Sequence, residues 1–146
     1  MIIYAATKEE FRSDIVRNQI EEKISSIFQL KLGRRVGQSE YRSWQNSLMY
    51  MSNVIDDKDI PNDSLVALEY KIPQTSKRID FMIAGKDAES RDSLVIVELK
   101  QWTEIGKTDM DAIVTTFLGK GKREEPHPSY QAWSYASLLR DYNATV

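Results

Sequence analysis

The 146-residue chain contains no cysteine, one histidine, four prolines and six glycines. Without cysteine it has neither a disulfide framework nor a thiolate metal site, which fits a reducing compartment such as the cytoplasm. No apolar run approaches the roughly 20 residues that a membrane helix needs. Residues 1–7 also lack the basic start and the long apolar stretch of a signal peptide. Together these absences predict a cytoplasmic protein that does not enter a membrane.

The chain also lacks an excess of either charge, since 20 Lys and Arg residues stand against 22 Asp and Glu residues for a net charge of -2. Such a balance gives no chain-wide positive field for nucleic acid. Basic residues gather only locally, and each cluster is also typical of a solvated loop. A Gly-rich phosphate loop, a nucleophile elbow and zinc-ligand spacing are missing as well. The length and the 41% hydrophobic content predict one domain over residues 1–146.

The first third of the chain has the spacing of helices. Thr7–Glu10 is a capping box, and it opens a helix whose apolar residues recur at helical spacing up to Gly33. Ser39 is expected to cap a second helix, which carries an apolar stripe as far as Ile55. Residues 56–63 then form a polar loop.

From residue 65 the pattern changes to short runs rich in Val, Ile and Tyr. Three of them are typical of strands: Leu65–Ile72, Arg78–Ala84 and Leu94–Trp102. The short Pro73–Ser76 connection predicts a hairpin between the first two. Ala112–Leu118 fits a further strand or a short helix, and Gly119–Glu125 is typical of a charged loop. Pro128 starts a last helix that runs to about Tyr142. This order predicts an α/β fold with a mixed β-sheet flanked by helices.

Two carboxylates and a lysine fall on the second and third predicted strands. Asp80 lies in the second, and Glu98 and Lys100 lie near the end of the third. Because alternate residues of a strand share a face, Glu98 and Lys100 point the same way, and Asp80 joins them if the strands are neighbours. Two carboxylates and an ammonium can hold a divalent metal ion and activate a water for phosphodiester cleavage. A structural salt-bridge cluster is the alternative.

Asp80 and the run Glu98-Leu99-Lys100 resemble the signature of the PD-(D/E)XK nuclease superfamily, although Ile79 stands where the family pattern has proline. The resemblance implies a restriction-endonuclease-like fold. It also implies that Asp80 and Glu98 bind Mg²⁺ (or Mn²⁺) as hard oxygen ligands. Lys100 would then act on the attacking water and on the charge that develops on the phosphate.

A second match lies on the last predicted helix. Gln131 and Tyr135 are four residues apart, so they share a helical face, and they resemble the Gln-x-x-x-Tyr motif of RecB-type nucleases. With Arg78 and His127, the pattern is similar to the N-terminal domain of bacterial nuclease–helicase fusion proteins. The resemblance implies that these four side chains support the site or contact nucleic acid. It also implies an N-terminal fragment of a longer protein, a helicase domain that delivers DNA, and a setting in phage defence or repair.

Three further residues keep two interpretations each. Glu40 supplies another metal ligand, as many members of the superfamily have on an early helix, or it is a first-turn acid favoured by the helix dipole. His127 contacts phosphate or starts the last helix. Glu69 faces the same site or pairs across the hairpin with Lys77 or Arg78. The leading hypothesis is a metal-dependent DNA nuclease; the alternative is an inactive module of the same fold that binds nucleic acid or a protein partner.

Overall fold

The computed structural model describes residues 1–33 and 35–143 of the chain. Backbone contacts divide the chain into two compact units, of which the first is Met1–Val97 and the second begins at Glu98. Each unit has its own antiparallel sheet beside helical elements, which places the protein in the α/β class. The expected mixed sheet is therefore wrong for the described residues, because every strand pair in them is antiparallel. The restriction-endonuclease-like fold and the single domain stay predictions.

Three helices open the first unit: α1 (Lys8–Val16), α2 (Ile20–Leu32) and α3 (Gln38–Val54). The prediction of one continuous helix up to Gly33 is wrong, because the helix is interrupted between Val16 and Ile20. Asn18 has a φ of 53° at this break, a left-handed conformation that asparagine adopts more readily than most residues. Gly33 ends α2 with a φ of 64°, which a glycine accepts without a steric penalty.

The two predicted helix starts have different outcomes. The capping box of α1 is confirmed, because Thr7 Oγ1 accepts the Glu10 N–H and the Glu10 carboxylate accepts the Thr7 N–H at 2.9 Å. Ser39, in contrast, is not the cap of α3. The helix begins two residues earlier than this cap implies, and Gly37, whose extended backbone precedes the first turn, takes the N-cap position without a side-chain hydrogen bond.

A four-stranded sheet completes the first unit in the order β1-β2-β3-β4. Its strands are β1 (Tyr4–Thr7), β2 (Leu65–Lys71), β3 (Arg78–Lys86) and β4 (Asp92–Val97). The β2–β3 hairpin confirms the prediction made from the short connection between them. The prediction that Glu98 and Lys100 lie within a strand is wrong, because pairing with β3 ends at Phe81 opposite Val97.

The core of the first unit lies between its helices and its sheet. Phe11 of α1 meets Phe81 of β3 edge-on, with 5.7 Å between the ring centroids. Phe28 of α2 packs against Trp44 of α3 at 5.3 Å. The largest fully buried side chains among the described residues are Phe11, Ile20, Ile24, Phe28, Ile55, Val66, Leu68, Ile72, Ile79, Phe81 and Thr116, of which all but Thr116 belong to this unit. This apolar packing holds α2 and α3 in place beside the polar residues described below.

The second unit consists of a three-stranded sheet and one helix: β5 (Gly106–Lys107), β6 (Ile113–Leu118), β7 (Gly121–Pro126) and α4 (Pro128–Asn143). The strand interpretation of β6 is therefore the right one, and α4 starts at the predicted proline. The charged loop expected at residues 119–125 is wrong from Gly121 on, because β7 pairs with β6 through its backbone while most of its side chains stay exposed.

None of the helices in residues 1–33 and 35–143 combines the length and apolarity that crossing a bilayer requires. The chain end at residues 144–146 lies outside the described residues.

Candidate functional site

Glu98 is the centre of a polar cluster in the second unit. Its side chain is only 4% exposed. Glu98 Oε1 accepts a hydrogen bond from Lys100 Nζ at 2.7 Å and another from Gln131 Nε2 at 2.5 Å. The same Gln131 nitrogen lies 2.8 Å from the hydroxyl oxygen of Tyr135. Four residues that the motifs select thus meet in one hydrogen-bonded cluster.

Local structure explains how the cluster forms. Glu98 directly follows β4, and Lys100 follows two residues later, so a short loop rather than a strand brings the ammonium back to the carboxylate. The Lys100 ammonium also lies 5.7 Å from the centroid of the Trp102 ring, a favourable cation–π position. On α4, the spacing of four places Gln131 and Tyr135 one turn apart. Tyr135 is 5% exposed, so its buried ring fixes the position of its hydroxyl.

His127 has a structural position at the start of α4. Its backbone N–H donates to the Ala112 carbonyl at 2.8 Å, and its Nδ1 accepts the Ser129 N–H at 3.1 Å. The ring therefore satisfies one of the N–H groups that a helix start leaves without a partner inside the helix. This geometry favours the helix-start interpretation, and a contact between His127 and phosphate stays a prediction.

A second polar cluster lies in the first unit and is centred on Arg78, the first residue of β3. Arg78 Nε forms an ion pair with Glu69 Oε2 at 2.5 Å, and Arg78 Nη1 lies 3.4 Å from Glu40 Oε1. The guanidinium carbon lies 5.9 Å from the centroid of the Phe28 ring. Trp44 Nε1 donates to Glu69 Oε1 at 2.8 Å. Of the two interpretations of Glu69, the pairing with Arg78 is therefore observed.

The backbone of Glu69 is unusual for the middle of a strand. Its φ is 56°, which costs a non-glycine residue about 1–3 kcal/mol. The register is nevertheless the same on both sides, with Leu68 opposite Phe81 and Tyr70 opposite Ile79. Glu69 consequently lies at the position opposite Asp80. Leu68 and Glu69 are both buried, so the strained residue breaks the alternation of the strand and turns the Glu69 carboxylate inward.

Burial also changes the acidity of this carboxylate. Removal from water is the largest cause and raises the pKa of Glu69 to about 7 from an ordinary value of 4.5. The positive charge of Arg78 and the hydrogen bond from Trp44 lower the pKa, but by less. The negative charges of Asp80 and Glu40 raise it further. In the first unit the Glu69 carboxyl group therefore interacts with two further carboxyl groups, of which Glu40 also contacts Arg78.

Glu40 and Asp80 occupy the positions that the sequence predicts for them within this unit. Glu40 is in the first turn of α3, as the dipole interpretation requires, and it also contacts Arg78. Asp80 is half-buried on β3, two residues after Arg78. Asp80 belongs to the first unit and Glu98 to the second, so their cooperation in one metal site stays a prediction from the order of the motif.

The donor chemistry fits a hard divalent cation, because Asp80 and Glu98 offer carboxylate oxygens and Mg²⁺ is commonly held by one or two carboxylates with several waters. Within the described residues, no group of three or more His, Asp or Glu side chains could hold a metal ion. The predicted site therefore depends on two carboxylates, and Glu40 joins it only as a hypothesis.

The sequence did not reveal the arrangement of Trp44, Glu69 and Arg78, although one signal was present. A hairpin centred between Gln74 and Thr75 fixes the register, and this register alone places Glu69 opposite Asp80. The left-handed φ of Glu69 has no signature in the sequence.

Neither a family model, nor a curated protein, nor a solved structure matches this chain.

Proposed function

We propose that this chain is a metal-dependent DNA nuclease domain that hydrolyses phosphodiester bonds, in which Asp80 and Glu98 are the ligands of Mg²⁺ or Mn²⁺. The proposal includes a restriction-endonuclease-like arrangement and a helicase domain elsewhere in the full-length protein. The observation that carries it is the convergence of Lys100 and Gln131 on Glu98 Oε1. Residues that lie more than 30 positions apart, and that a nuclease motif selects together, meet on one carboxylate.

Each residue of this cluster has a role that its chemistry allows. Lys100 keeps an ammonium beside Glu98 and is partly open to solvent, with 26% of its side chain exposed. It can therefore orient the attacking water and offset the negative charge that grows on the phosphate. Gln131 holds the Glu98 carboxylate in one orientation, and Tyr135 holds Gln131. A divalent ion, when bound, supplies positive charge for the phosphate and makes water more acidic.

Burial of the Glu98 carboxylate supports a functional role over a purely structural one. Removing a carboxylate from water costs several kcal/mol, and a buried ion pair recovers this cost only with good geometry and further hydrogen bonds. The buried carboxylate is therefore more readily explained by chemistry than by stability.

A cleavage assay on labelled single-stranded and double-stranded DNA tests the proposal. The wild-type chain should cut DNA with Mg²⁺ or Mn²⁺ and stop when EDTA is added. Asp80→Asn should abolish cutting, whereas Asp63→Asn, an exposed acid in the loop before β2, should not. DNA binding without cleavage under all metal conditions would instead favour the inactive binding module.

A further inference from the structure

The contacts around Arg78 hold its guanidinium in one position, as in a preorganised ligand-binding residue. Glu69 engages Nε, Glu40 lies beside Nη1, and the Phe28 ring lies near the guanidinium carbon. These contacts restrict an otherwise flexible side chain from three directions. The two ion pairs use two of the three guanidinium nitrogens, and 38% of the side chain stays exposed. A guanidinium fixed in this way loses little entropy when it binds an oxyanion.

Glu69, which supports Arg78, has a strained backbone and a buried carboxylate. A solvent-exposed ion pair would need neither feature. Glu69 combines a left-handed backbone within a strand with a carboxylate whose side chain is 6% exposed. Trp44, itself 6% exposed, donates its indole N–H to the other carboxylate oxygen. One oxygen of Glu69 thus accepts a hydrogen bond from α3, and the other makes the ion pair with Arg78 of β3.

We propose that Glu69 is a positioning residue that holds Arg78 as a preorganised contact for a backbone phosphate of the DNA strand. The inference rests on the proposed nuclease function and identifies how the strand is held two residues before Asp80. Trp44 fixes Glu69, Glu69 fixes the guanidinium, and the exposed side of the guanidinium meets the phosphate. Arg78 touches the ligand, whereas Glu69 acts only through Arg78.

A binding experiment without metal separates this role from catalysis. Fluorescence anisotropy of a labelled DNA strand is measured in EDTA at pH 8 for wild type, Glu69→Gln, Arg78→Gln and the double variant. Glu69→Gln should weaken binding by about tenfold, the size of one charge-assisted contact. It should also lower the slope of log K against log salt by about 1, as Arg78→Gln does. In the Arg78→Gln background, Glu69→Gln should have no further effect.

The expected direction is opposite to that of a simple charge effect. Glu69→Gln removes a negative charge, so binding would become tighter if only the net charge mattered. Glu22→Gln is the matched control, since Glu22 is an exposed acid of the same unit, and it should leave binding unchanged or slightly tighter. Tighter binding by Glu69→Gln, or additive effects in the double variant, would overturn the inference.

A second substitution keeps the test decisive if Glu69→Gln does not fold. Arg78→Lys retains the charge but loses the fork that Glu69 and Glu40 hold, so its affinity should fall nearly as far as that of Arg78→Gln. Wild-type affinity for Arg78→Lys, or no DNA binding by the wild type in EDTA, would contradict the inference. If the proposed nuclease function alone is wrong, the results differ: the variants bind DNA as expected here, but the wild type does not cut DNA with Mg²⁺ or Mn²⁺.

Discussion

At the scale of single residues, Lys100 offers the clearest separation of chemistry from structure. Its ammonium cannot ligate a cation, and its partly exposed side chain makes one ion pair with Glu98. Lys100→Ala should therefore abolish DNA cleavage while the chain still folds and binds Mn²⁺ with an affinity close to that of the wild type. Lys122→Ala, which changes an exposed lysine of β7 in the same unit, should cut normally. Turnover near the wild-type rate in Lys100→Ala would exclude the proposed role.

Gln131 tests whether the orientation of Glu98 matters. Gln131→Ala removes the amide that joins Glu98 to Tyr135, so the carboxylate loses one of its constraints. Cleavage should slow by about 10–100-fold, which is typical of groups that orient a metal ligand. Gln45→Ala is the control, because Gln45 is an exposed glutamine within α3. If both variants cut DNA at the wild-type rate, Gln131 belongs to the ordinary surface of its helix.

Glu69 predicts a pH dependence of stability. Its pKa is about 7 in the folded protein and 4.5 in an exposed carboxyl group, mainly because of burial. The folded state consequently binds more protons than the unfolded state between these values, and stability falls as the pH rises through this window. The contribution is most favourable below pH 4.5 and levels off above pH 7.

Urea unfolding of wild type and Glu69→Gln between pH 4 and 8 in EDTA measures this effect. Relative to the variant, the wild type should lose up to roughly 3 kcal/mol across the window, since each pKa unit corresponds to 1.36 kcal/mol. Stability curves that stay parallel over the whole range would show that Glu69 titrates in the folded protein as it does in water.

At the scale of elements, the β5–β6 pair depends on the absence of a side chain at residue 106. Gly106 lies opposite Thr115, and a Cβ on residue 106 would come within 2.6 Å of Thr115 Oγ1. Gly106→Ala should therefore destabilise the protein by about 1–3 kcal/mol in urea unfolding. Adding Thr115→Ala to Gly106→Ala should restore much of the lost stability, because it removes the clashing oxygen. The removal breaks no hydrogen bond, since Thr115 Oγ1 has no hydrogen-bond partner in the described residues. An equal unfolding midpoint for Gly106→Ala and wild type would contradict this reasoning.

Gly121→Ala is the matched control for Gly106→Ala. It begins β7 in the same sheet, and a Cβ placed on it meets no atom within 4 Å. Gly121→Ala should accordingly leave the unfolding midpoint nearly unchanged. A large loss there would mean that backbone freedom, rather than the contact with Thr115, explains the sensitivity of such glycines.

The elements also show which structural features sequence patterns can predict. The capping box at Thr7, the hairpin between β2 and β3 and the start of α4 at Pro128 follow from local chemistry, and all three are observed. The break at Asn18 lacks a Pro or Gly, so helical spacing alone runs across it. β7 is charged along its length, and only its pairing with β6 makes it a strand.

At the scale of the whole molecule, the candidate residues were more predictable than their geometry. The motif spacing selected Glu98, Lys100, Gln131 and Tyr135, whose mutual contacts are observed within the second unit. Their contacts arise from a loop after β4 rather than from the alternation of a strand, which no residue pattern indicated. The inward turn of Glu69 requires a strained backbone conformation that depends on its surroundings, so it was not predictable from the sequence.

The central claim is that Asp80 and Glu98 together bind one divalent ion. Calorimetric titration with Mn²⁺ tests it directly on wild type, Asp80→Ala, Glu98→Ala and the double variant, with Asp63→Ala as the control. One ion should bind per wild-type chain, and each single variant should lose about tenfold or more in affinity because a charged oxygen ligand is gone. The double variant should lose little more than either single one. Wild-type affinity in Asp80→Ala or in Glu98→Ala would contradict the shared site.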